Sequence, residues 1–365
     1  MKAVHKRILI VFTFCALLLL CLEAGARFIL LSTPFLDSKT ILSDSYFRLK
    51  LLRACHNNGG LQFITGNYLY EPTRGWVLKP NLDINNPGAP EKILHTNSKG
   101  VRGVSEYAYQ KQENKKRILI LGDSFTFGAE VPDNETYPYY LEKMVPGLEV
   151  LNFGVSGYGH DQMLLYLKEE GVKYRPDIVI LGFVPSDLSR NMSTFHNRPK
   201  PKFVLLDNKL QLTNVPVPTI SSIIRQEAFK SRMVEWISMI KSERADPKKY
   251  IKERKRLTEA IFDEMIKTIK ECGAKPLFVY ISSPLAMSKN KPREERPSEE
   301  FFENFCKKRG ILYLFTRPYF NMLMQKGVPL KKEGHWDAQG NQVVAQEIAE
   351  YLRKGNMKTV LQPGD

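Results

Sequence analysis

A short apolar run at residues 118–121 constrains this chain most, because it ends abruptly in Gly122, Asp123 and Ser124. Four large apolar residues before a glycine are typical of a buried strand in a parallel sheet. A serine at the carboxyl end of such a strand lies where open α/β sheets bind their ligands. The position two after the serine is Thr126, which excludes the G-x-S-x-G nucleophile elbow. The stretch therefore predicts either a nucleophilic hydroxyl beside a helix start or a turn that only caps a helix.

The same pattern of an apolar run that stops at a glycine or at polar residues recurs along the chain. The further predicted strands are residues 150–153, 178–181, 277–281 and 311–315. Helical segments lie between them, and strands that alternate with helices define an α/β protein with a parallel central sheet. We assign this domain to residues 116–355, followed by a tail at 356–365. An insertion at about 188–249 interrupts it with a hairpin and one amphipathic helix over residues 220–240.

The N-terminus has the pattern of an export or membrane-insertion signal. Three basic residues among the first seven precede an uncharged apolar run at residues 8–22. The fifteen residues of this run reach about 22 Å as a helix, less than the roughly 30 Å hydrocarbon core. Residues 1–31 are therefore predicted to be an uncleaved transmembrane anchor or a cleaved signal peptide. Either one makes the protein membrane-anchored or secreted and places the rest on the periplasmic or extracytoplasmic side, beginning with a stalk and a strand-rich lead-in at residues 32–115.

Composition excludes several classes of protein. A hydrophobic content of 43% and a charged content of 25% are those of an ordinary globular protein. The net charge of +15 is partly local, since residues 190–256 hold sixteen Lys and Arg but six Asp and Glu. No nucleic-acid-binding motif accompanies this charge, so we interpret it as a solvated helical face or as a surface for anionic headgroups or an acidic glycan. The five cysteines form no C-x-x-C pair, which argues against a zinc site.

Four segments of the predicted domain resemble, in order, the sequence blocks of the SGNH/GDSL hydrolases. The four segments are Gly122-Asp123-Ser124, Asn152-Phe153-Gly154, residues 182–187 and His335. Residues 75–81 and 96–103 also resemble the lead-in of exported bacterial members. The family consists of serine esterases and acyltransferases, so the resemblance implies a three-layer α/β/α sandwich with a flavodoxin-like parallel sheet.

The resemblance also implies a nucleophile, a base and an acid. Ser124 matches the nucleophile and His335 matches the base, which can take the hydroxyl proton near neutral pH. The family places an aspartate a few residues before the histidine. Here the upstream acid is Glu333, which we assign to orient the imidazole, with Asp337 as the weaker alternative.

An oxyanion hole is implied as well, made by the backbone N–H of the nucleophile, the N–H of Gly154 and a side chain of the third block. Ser186 stands where the family has asparagine, and Asn191 is a nearby amide that can take its place. Asp123 is interpreted as a hydrogen-bond acceptor with a structural role in the turn, and Asp187 as a residue that stabilises the site by hydrogen bonds. These residues complete the predicted site.

The implied function is that of an exported serine hydrolase that acts on ester bonds by acyl ester hydrolysis or O-acyl transfer. Its partners would be an acylated small molecule, glycan or lipid, and a membrane through the N-terminal helix, with no nucleic acid. The family needs no cofactor, and no metal-ligand cluster competes for the site. The departures at Ser186 and Glu333 keep an alternative open, a glycan-binding pseudoenzyme with the same fold and little turnover.

Overall fold

A computed structural model describes residues 2–32, 44–56, 66–86, 89–243, 246–287 and 292–354. The chain divides into two compact units. The first, called the helical unit below, is Met1–Gly66, Ser193–Pro199 and Pro218–Ile251. The second, called the sheet unit, is Asn67–Met192, Lys200–Val217 and Lys252–Asp365. The predicted insertion is shared between them, and the predicted tail lies outside the described residues.

The secondary structure is numbered in chain order. The helices are α1 (Lys2–Leu30), α2 (Asp44–His56), α3 (Ser124–Phe127), α4 (Tyr137–Met144), α5 (His160–Glu169), α6 (Asp187–Arg190), α7 (Ile220–Ala228), α8 (Arg232–Glu243), α9 (Pro247–Glu271), α10 (Pro284–Met287), α11 (Pro292–Arg309), α12 (Arg317–Gln325) and α13 (Ala338–Arg353). The strands are β1 (Tyr68–Glu71), β2 (Gly75–Leu78), β3 (Asp83–Asn86), β4 (Ala89–His95), β5 (Lys116–Gly122), β6 (Leu148–Gly154), β7 (Ile178–Phe183), β8 (Phe195–His196), β9 (Arg198–Pro199), β10 (Lys202–Leu206), β11 (Lys209–Thr213), β12 (Lys275–Tyr280) and β13 (Leu312–Phe315).

Five parallel strands form the central sheet of the sheet unit, in the order β6-β5-β7-β12-β13. Counted along the chain this is 2-1-3-4-5, the doubly wound order of flavodoxin-like folds. The direction of winding changes at β5, and ligands of such sheets bind beyond the carboxyl ends of the strands at this switch point. Ser124 follows β5 directly, so the topology places the predicted nucleophile at the switch point.

Alternate residues of β5 pack into opposite layers. Leu119 and Leu121 belong to one core with α5, α9 and α11, whereas Ile118 and Ile120 belong to another with α4, α12 and α13. All four side chains are fully buried, and burial of each contributes about 1.5–3 kcal/mol. Because helices cover both faces, residues 118–121 of the strand are all apolar. The predicted three-layer α/β/α fold with a parallel sheet is confirmed.

The sheet unit begins with two antiparallel hairpins, β1–β2 and β3–β4, which match the predicted strand-rich lead-in. A third hairpin, β10–β11, also belongs to this unit and lies where the sequence predicts one. Of the predicted stalk, α2 is described and belongs to the helical unit, where Phe47 and Leu49 share an apolar cluster with Leu30 and Ile223.

The predicted single helix over residues 220–240 is wrong. The chain forms two helices there, α7 and α8, interrupted at residues 229–231. The side chain of Glu23 accounts for the interruption, because it accepts the backbone N–H of Arg232 at 2.9 Å and of Met233 at 3.1 Å. A carboxylate at this point satisfies the first N–H groups of a new helix, which a continuous helix would not expose.

Candidate active site

Two glycines allow the nucleophile turn to pack closely against the sheet. A Cβ atom at Gly122 would lie 1.9 Å from Thr126 Oγ1, and one at Gly154 would lie 2.2 Å from the backbone nitrogen of Phe127. Asp123 Oδ1 accepts the backbone N–H of Phe125 at 2.9 Å and caps the short helix α3. The chain therefore leaves β5, turns at once and holds Ser124 at the edge of the sheet.

His335 meets Ser124 although 211 positions separate them. The Nε2 atom of the ring lies 2.7 Å from Ser124 Oγ, a hydrogen-bonding distance. The hydroxyl donates to Nε2 when the ring carries its proton on Nδ1. Ser124 Oγ also lies 3.4 Å from Asp123 Oδ2, which is a much weaker contact. The geometry is that of a hydroxyl beside the base that can activate it.

The carboxylate that faces the imidazole belongs to Glu130. Its Oε1 lies 3.0 Å from His335 Nδ1 and accepts the backbone N–H of the same residue at 3.1 Å. The assignment of this position to Glu333 is therefore wrong. Glu333 is exposed, and among the described residues no hydrogen bond joins its carboxylate to the ring. Gly334 explains the difference, because its φ of +71° turns the loop so that the carboxylate of Glu130 lies against it.

The fit at Gly334 is close enough to exclude a side chain. A Cβ atom there would lie 2.7 Å from Glu130 Oε1 and 3.2 Å from Oε2. The positive φ is also a conformation that residues other than glycine rarely adopt. The loop backbone and the carboxylate of Glu130 are therefore closely packed. This packing orients the ring of His335, the next residue.

The residues after His335 anchor the same loop. Trp336 is buried, stacks on Phe320 with ring centroids 4.1 Å apart, and donates its indole N–H to the carbonyl of Ser282 at 2.8 Å. Asp337 accepts a backbone N–H from the first turn of α13 at 2.9 Å. Asp337 is thus the N-cap of that helix, so the weaker alternative for the acid is also wrong.

Glu130 has a second charged partner in Lys331, with which it forms an ion pair through Oε2. Burial raises the pKa of Glu130, but the hydrogen bonds from Lys331 and His335 outweigh burial and lower it to about 2. The group is therefore ionised at any pH at which the protein would work. An ionised carboxylate can stabilise an imidazolium that forms during a proton transfer.

The lowered pKa predicts how stability depends on pH. A carboxyl group whose folded-state pKa is below its unfolded value of 4.5 stabilises the protein above pH 4.5, and this stabilisation is lost as the pH falls toward about 2. We expect the difference in free energy of unfolding between the wild type and Glu130→Gln to shrink as the pH falls from 4.5 to 2. Denaturation of both proteins over this range measures it, and a difference that does not change with pH contradicts the assignment.

A charged cluster behind the nucleophile was not predicted. Arg190 Nη1 lies 2.9 Å from Asp123 Oδ2 and 2.9 Å from the carbonyl oxygen of Tyr158, and it pairs with Asp187 Oδ1. Burial and the charge of Asp123 raise the pKa of Asp187 well above its ordinary value. One guanidinium thus joins the nucleophile turn to the segments after β6 and β7. The structural roles of Asp123 and Asp187 stay predictions, and Arg190 is the partner that sequence reasoning missed.

Two of the predicted oxyanion donors, those of Gly154 and Asn191, already have other partners. The N–H of Gly154 donates to Asn152 Oδ1 at 3.0 Å, so it is already used inside the strand end. Ser186 is exposed at the start of α6, where its carbonyl accepts from Ser189 Oγ at 2.7 Å. Asn191 is buried and donates to Thr258 Oγ1 at 2.9 Å. The assignments of Gly154 and Asn191 are therefore corrected, because their donors are bonded elsewhere, whereas the assignment of Ser186 stays a prediction.

A turn after β6 offers replacement donors. Tyr158 N–H donates to the carbonyl of Val155 at 3.1 Å, which closes a turn with Gly157 at a φ of +85°. Within the described part of the chain, no hydrogen bond occupies the backbone N–H of Ser124, Ser156 or Gly157. The turn is tied to the nucleophile through Arg190, which binds the carbonyl of Tyr158 as well as Asp123. Among the described residues, no cluster of His, Cys, Asp or Glu has the geometry to hold a metal ion.

No family model matches this sequence, and no curated protein matches it. Solved structures do match it. The chain is similar to a lipolytic protein of the G-D-S-L family from Veillonella parvula, with 11% identity and a TM-score of 0.42 over 66% of this chain and 100% of that one. It is similar to a putative lipolytic protein of the same family from Desulfitobacterium hafniense, with 16% identity and a TM-score of 0.38 over 65% and 99%. It is also similar to a catalytic mutant of an acetylxylan esterase from Geobacillus stearothermophilus, with 16% identity and a TM-score of 0.40 over 67% and 95%. Similarity at this level carries no argument about activity, which depends on the site itself.

Proposed function

We propose that this chain is a serine hydrolase of the SGNH/GDSL type that acts on acyl esters through an acyl-Ser124 intermediate. The observation that carries the proposal is the continuous set of contacts from Ser124 Oγ to His335 Nε2 at 2.7 Å and from His335 Nδ1 to Glu130 Oε1 at 3.0 Å. A nucleophile, a base and an acid in hydrogen-bonding reach form a catalytic triad by geometry, whatever their order in the chain. The position at the switch point of a flavodoxin-like sheet supports the same function.

In the proposed mechanism, each group of the triad has its own role. Ser124 Oγ attacks the ester carbonyl carbon while its proton passes to His335 Nε2, and Glu130 stabilises the imidazolium that results. The imidazolium then protonates the departing alcohol, and the acyl group stays on the serine. In the second half, the same Nε2 takes a proton from water, which gives hydrolysis, or from an acceptor hydroxyl, which gives O-acyl transfer. Collapse of the second intermediate frees the acid or the new ester and returns the proton to Ser124.

The oxyanion of each tetrahedral intermediate needs converging N–H donors. We assign the backbone N–H of Ser124 and those of Ser156 and Gly157 in the turn after β6 to this task, in place of Gly154 and Ser186. The support is that these three donors are free within the described residues and that they lie on two adjacent strand ends, β5 and β6. A missing donor of this kind costs roughly 10²–10³ in rate, so backbone donors alone are compatible with a slower enzyme.

The proposed place of action is outside the cytoplasm, because a basic start followed by an apolar helix is typical of exported chains. An acylated glycan or lipid is the substrate class that suits such a protein with a strongly basic sequence. A glycan-binding protein that keeps the site without turnover remains the second candidate. The observation in its favour is that Ser186 stands where the family has asparagine, while Asn191 donates to Thr258 instead.

A fluorophosphonate probe tests the proposal without a known substrate, because it reacts with a serine hydroxyl only when a base activates it. We expect the wild type to be labelled and Ser124→Ala to be unlabelled. Ser186→Ala is the matched control and should be labelled as the wild type is, since this exposed serine lacks a basic partner. Labelling that persists in Ser124→Ala, or a wild type that is never labelled, would overturn the enzyme assignment and favour the binding protein.

A further inference from the structure

The covered side of helix α8 in the helical unit carries two charged residues beside the apolar Trp236 and Met239, whereas several of its exposed side chains are apolar. Arg232 and Glu235 are 1% and 2% exposed, whereas Val234 and Ile237 are 57% and 47% exposed. Phe229, just before the helix, is 92% exposed. A surface helix in water shows the opposite pattern, with its charges outward and its apolar stripe toward a core. The arrangement of α8 is that of a helix whose outer side meets an apolar medium.

The buried charges of this helix are paired with one another, so they need no water. Arg232 Nη1 lies 2.7 Å from Glu227 Oε2, and its Nη2 donates to the carbonyl of the same residue at 2.6 Å. Glu235 pairs with Arg232 and accepts from Lys230 at 2.7 Å. Buried charges persist when they are paired and hydrogen-bonded. Both terminal nitrogens of Arg232 and the carboxylates of Glu227 and Glu235 therefore have partners in the protein.

Helix α1 has a bare part and a covered part. The large apolar side chains from Val4 to Leu22 are exposed, whereas Ala26 and Leu30 are buried. Nineteen residues of helix from Val4 to Leu22 measure about 28 Å, of which the uncharged run at residues 8–22 accounts for about 22 Å and the basic Lys6 and Arg7 lie at the start. The helix Val4–Leu30 is long and apolar enough to span a membrane by length and composition. After Glu23 only one side of the helix is covered, since Phe28 is still 80% exposed. The part that is bare on every side therefore ends near Glu23.

Glu23 fixes the start of α8 at this boundary. Its two carboxylate oxygens accept the backbone N–H of Arg232 at 2.9 Å and of Met233 at 3.1 Å, and the Ser231 hydroxyl at 2.8 Å. Arg27 binds the same carboxylate at 2.9 Å and donates to the carbonyl of Lys230 at 3.2 Å. These bonds hold the first turn of α8 against the part of α1 that leaves the membrane.

We propose that α8 and Phe229 lie in the interface of the bilayer that α1 spans, and that α1 is a retained anchor. The twelve residues of α8 measure about 18 Å, too short to span and suited to lie in the interface plane. Phe229, Val234 and Ile237 contact the acyl chains, and Lys230 lies at the anionic headgroups. The occupant of the apolar side is the phospholipid bilayer, because α8 begins against Glu23 and Arg27, where the bare part of α1 ends. Removal of α1 would leave the start of α8 without its carboxylate.

Photo-crosslinking in the full-length protein tests this placement. The photoreactive amino acid p-benzoylphenylalanine replaces Phe229 in one variant and Ile237 in another, and each protein is reconstituted in vesicles of phosphatidylethanolamine and phosphatidylglycerol. Val104, an exposed apolar residue of the sheet unit, is the matched control position. We expect lipid adducts at positions 229 and 237 and no lipid adduct above background at 104. Thermal unfolding of each variant shows that it is folded.

The other outcomes overturn the proposal in distinguishable ways. A protein–protein adduct at 229 or 237 instead of a lipid adduct means that a second copy of the chain covers α8. Equal lipid labelling at 229 and 104 means that the contact with lipid is unspecific, and no adduct at 229 and 237 means that this side faces water. The intact mass of the purified protein tests the anchor, since loss of the segment before Arg27 would show a cleaved signal peptide. A variant Glu23→Ala is expected to lose the adduct at 237 if the carboxylate holds α8 in place.

Discussion

Replacement of Glu130 by glutamine is expected to lower the turnover of an ester substrate by about 10⁴-fold, the loss that follows when the acid of a triad is replaced by its amide. The amide keeps the shape of the side chain but cannot stabilise the imidazolium. It can also donate to His335 Nδ1, which then leaves the proton on the nitrogen that must accept from Ser124. The rate of fluorophosphonate labelling and the hydrolysis of p-nitrophenyl acetate both measure the effect, and neither needs the natural substrate.

Glu333→Gln is the matched control, because Glu333 is near His335 in sequence, whereas Glu130 is near it in space. We expect this variant to keep the wild-type rate, since Glu333 is exposed and its carboxylate has no bond to the ring among the described residues. Glu130→Asp should fall between the two, because its carboxylate is one methylene shorter and reaches less far toward His335. A large loss in Glu333→Gln together with a wild-type rate in Glu130→Gln would restore the assignment made from the sequence.

Replacement of Arg190 by methionine is expected to destabilise the sheet unit by about 3–5 kcal/mol, because it leaves buried carboxylates without their common cation. Asp123 and Asp187 are both fully buried and both face this guanidinium. The pKa of Asp187 is already raised well above its ordinary value by burial. A buried carboxyl group with a raised pKa makes the folded protein less stable as the pH rises above the pKa of that group in the unfolded state. The loss of stability in the variant should therefore be larger at pH 8 than near pH 4. Urea denaturation of the folded, full-length variant at both pH values measures it.

A second variant separates lost charge pairing from lost packing. In Arg190→Met combined with Asp187→Leu, one of the two unpaired carboxylates is gone, so we expect part of the lost stability to return and the pH dependence to weaken. Arg190→Lys keeps the charge but not the fork of donors that reaches Asp123 and the carbonyl of Tyr158, and should lie between the wild type and the methionine variant. Wild-type stability in Arg190→Met at both pH values would show that the cluster contributes nothing.

The sheet and the contact between Ser124 and His335 could be predicted because their signals are local. An apolar run that ends in Gly122 indicates a buried strand and its end, and parallel strands bring such ends to one edge of the sheet. The serine and the histidine each belong to a short segment with a recognisable pattern. The distance of 2.7 Å between Ser124 Oγ and His335 Nε2 shows that the two segments meet.

The acid and the oxyanion donors could not be predicted in the same way. Glu130 pairs with a ring 205 positions away, and the pairing depends on the positive φ of Gly334, which no spacing pattern encodes. Gly154 is expected from the sequence to let a ligand come close to the backbone, but in the structure the backbone of α3 packs against it. Arg190 carries no motif at all, and its role depends on two carboxylates brought together by different strands. Residue type is visible in a sequence, whereas the partner of a side chain is set by tertiary packing.

Ser124 and Glu130 lie only six positions apart, on the turn that follows a single strand. Two of the three groups of the proposed triad are therefore positioned by one short stretch of chain, and the third lies on the loop that Trp336 anchors. The chain is synthesised from its N-terminus, so for part of its synthesis it would hold Ser124 and Glu130 without the histidine that activates the serine. Hydrolytic competence would begin only when the histidine loop docks, so the protein could not modify acyl groups before its fold is nearly finished.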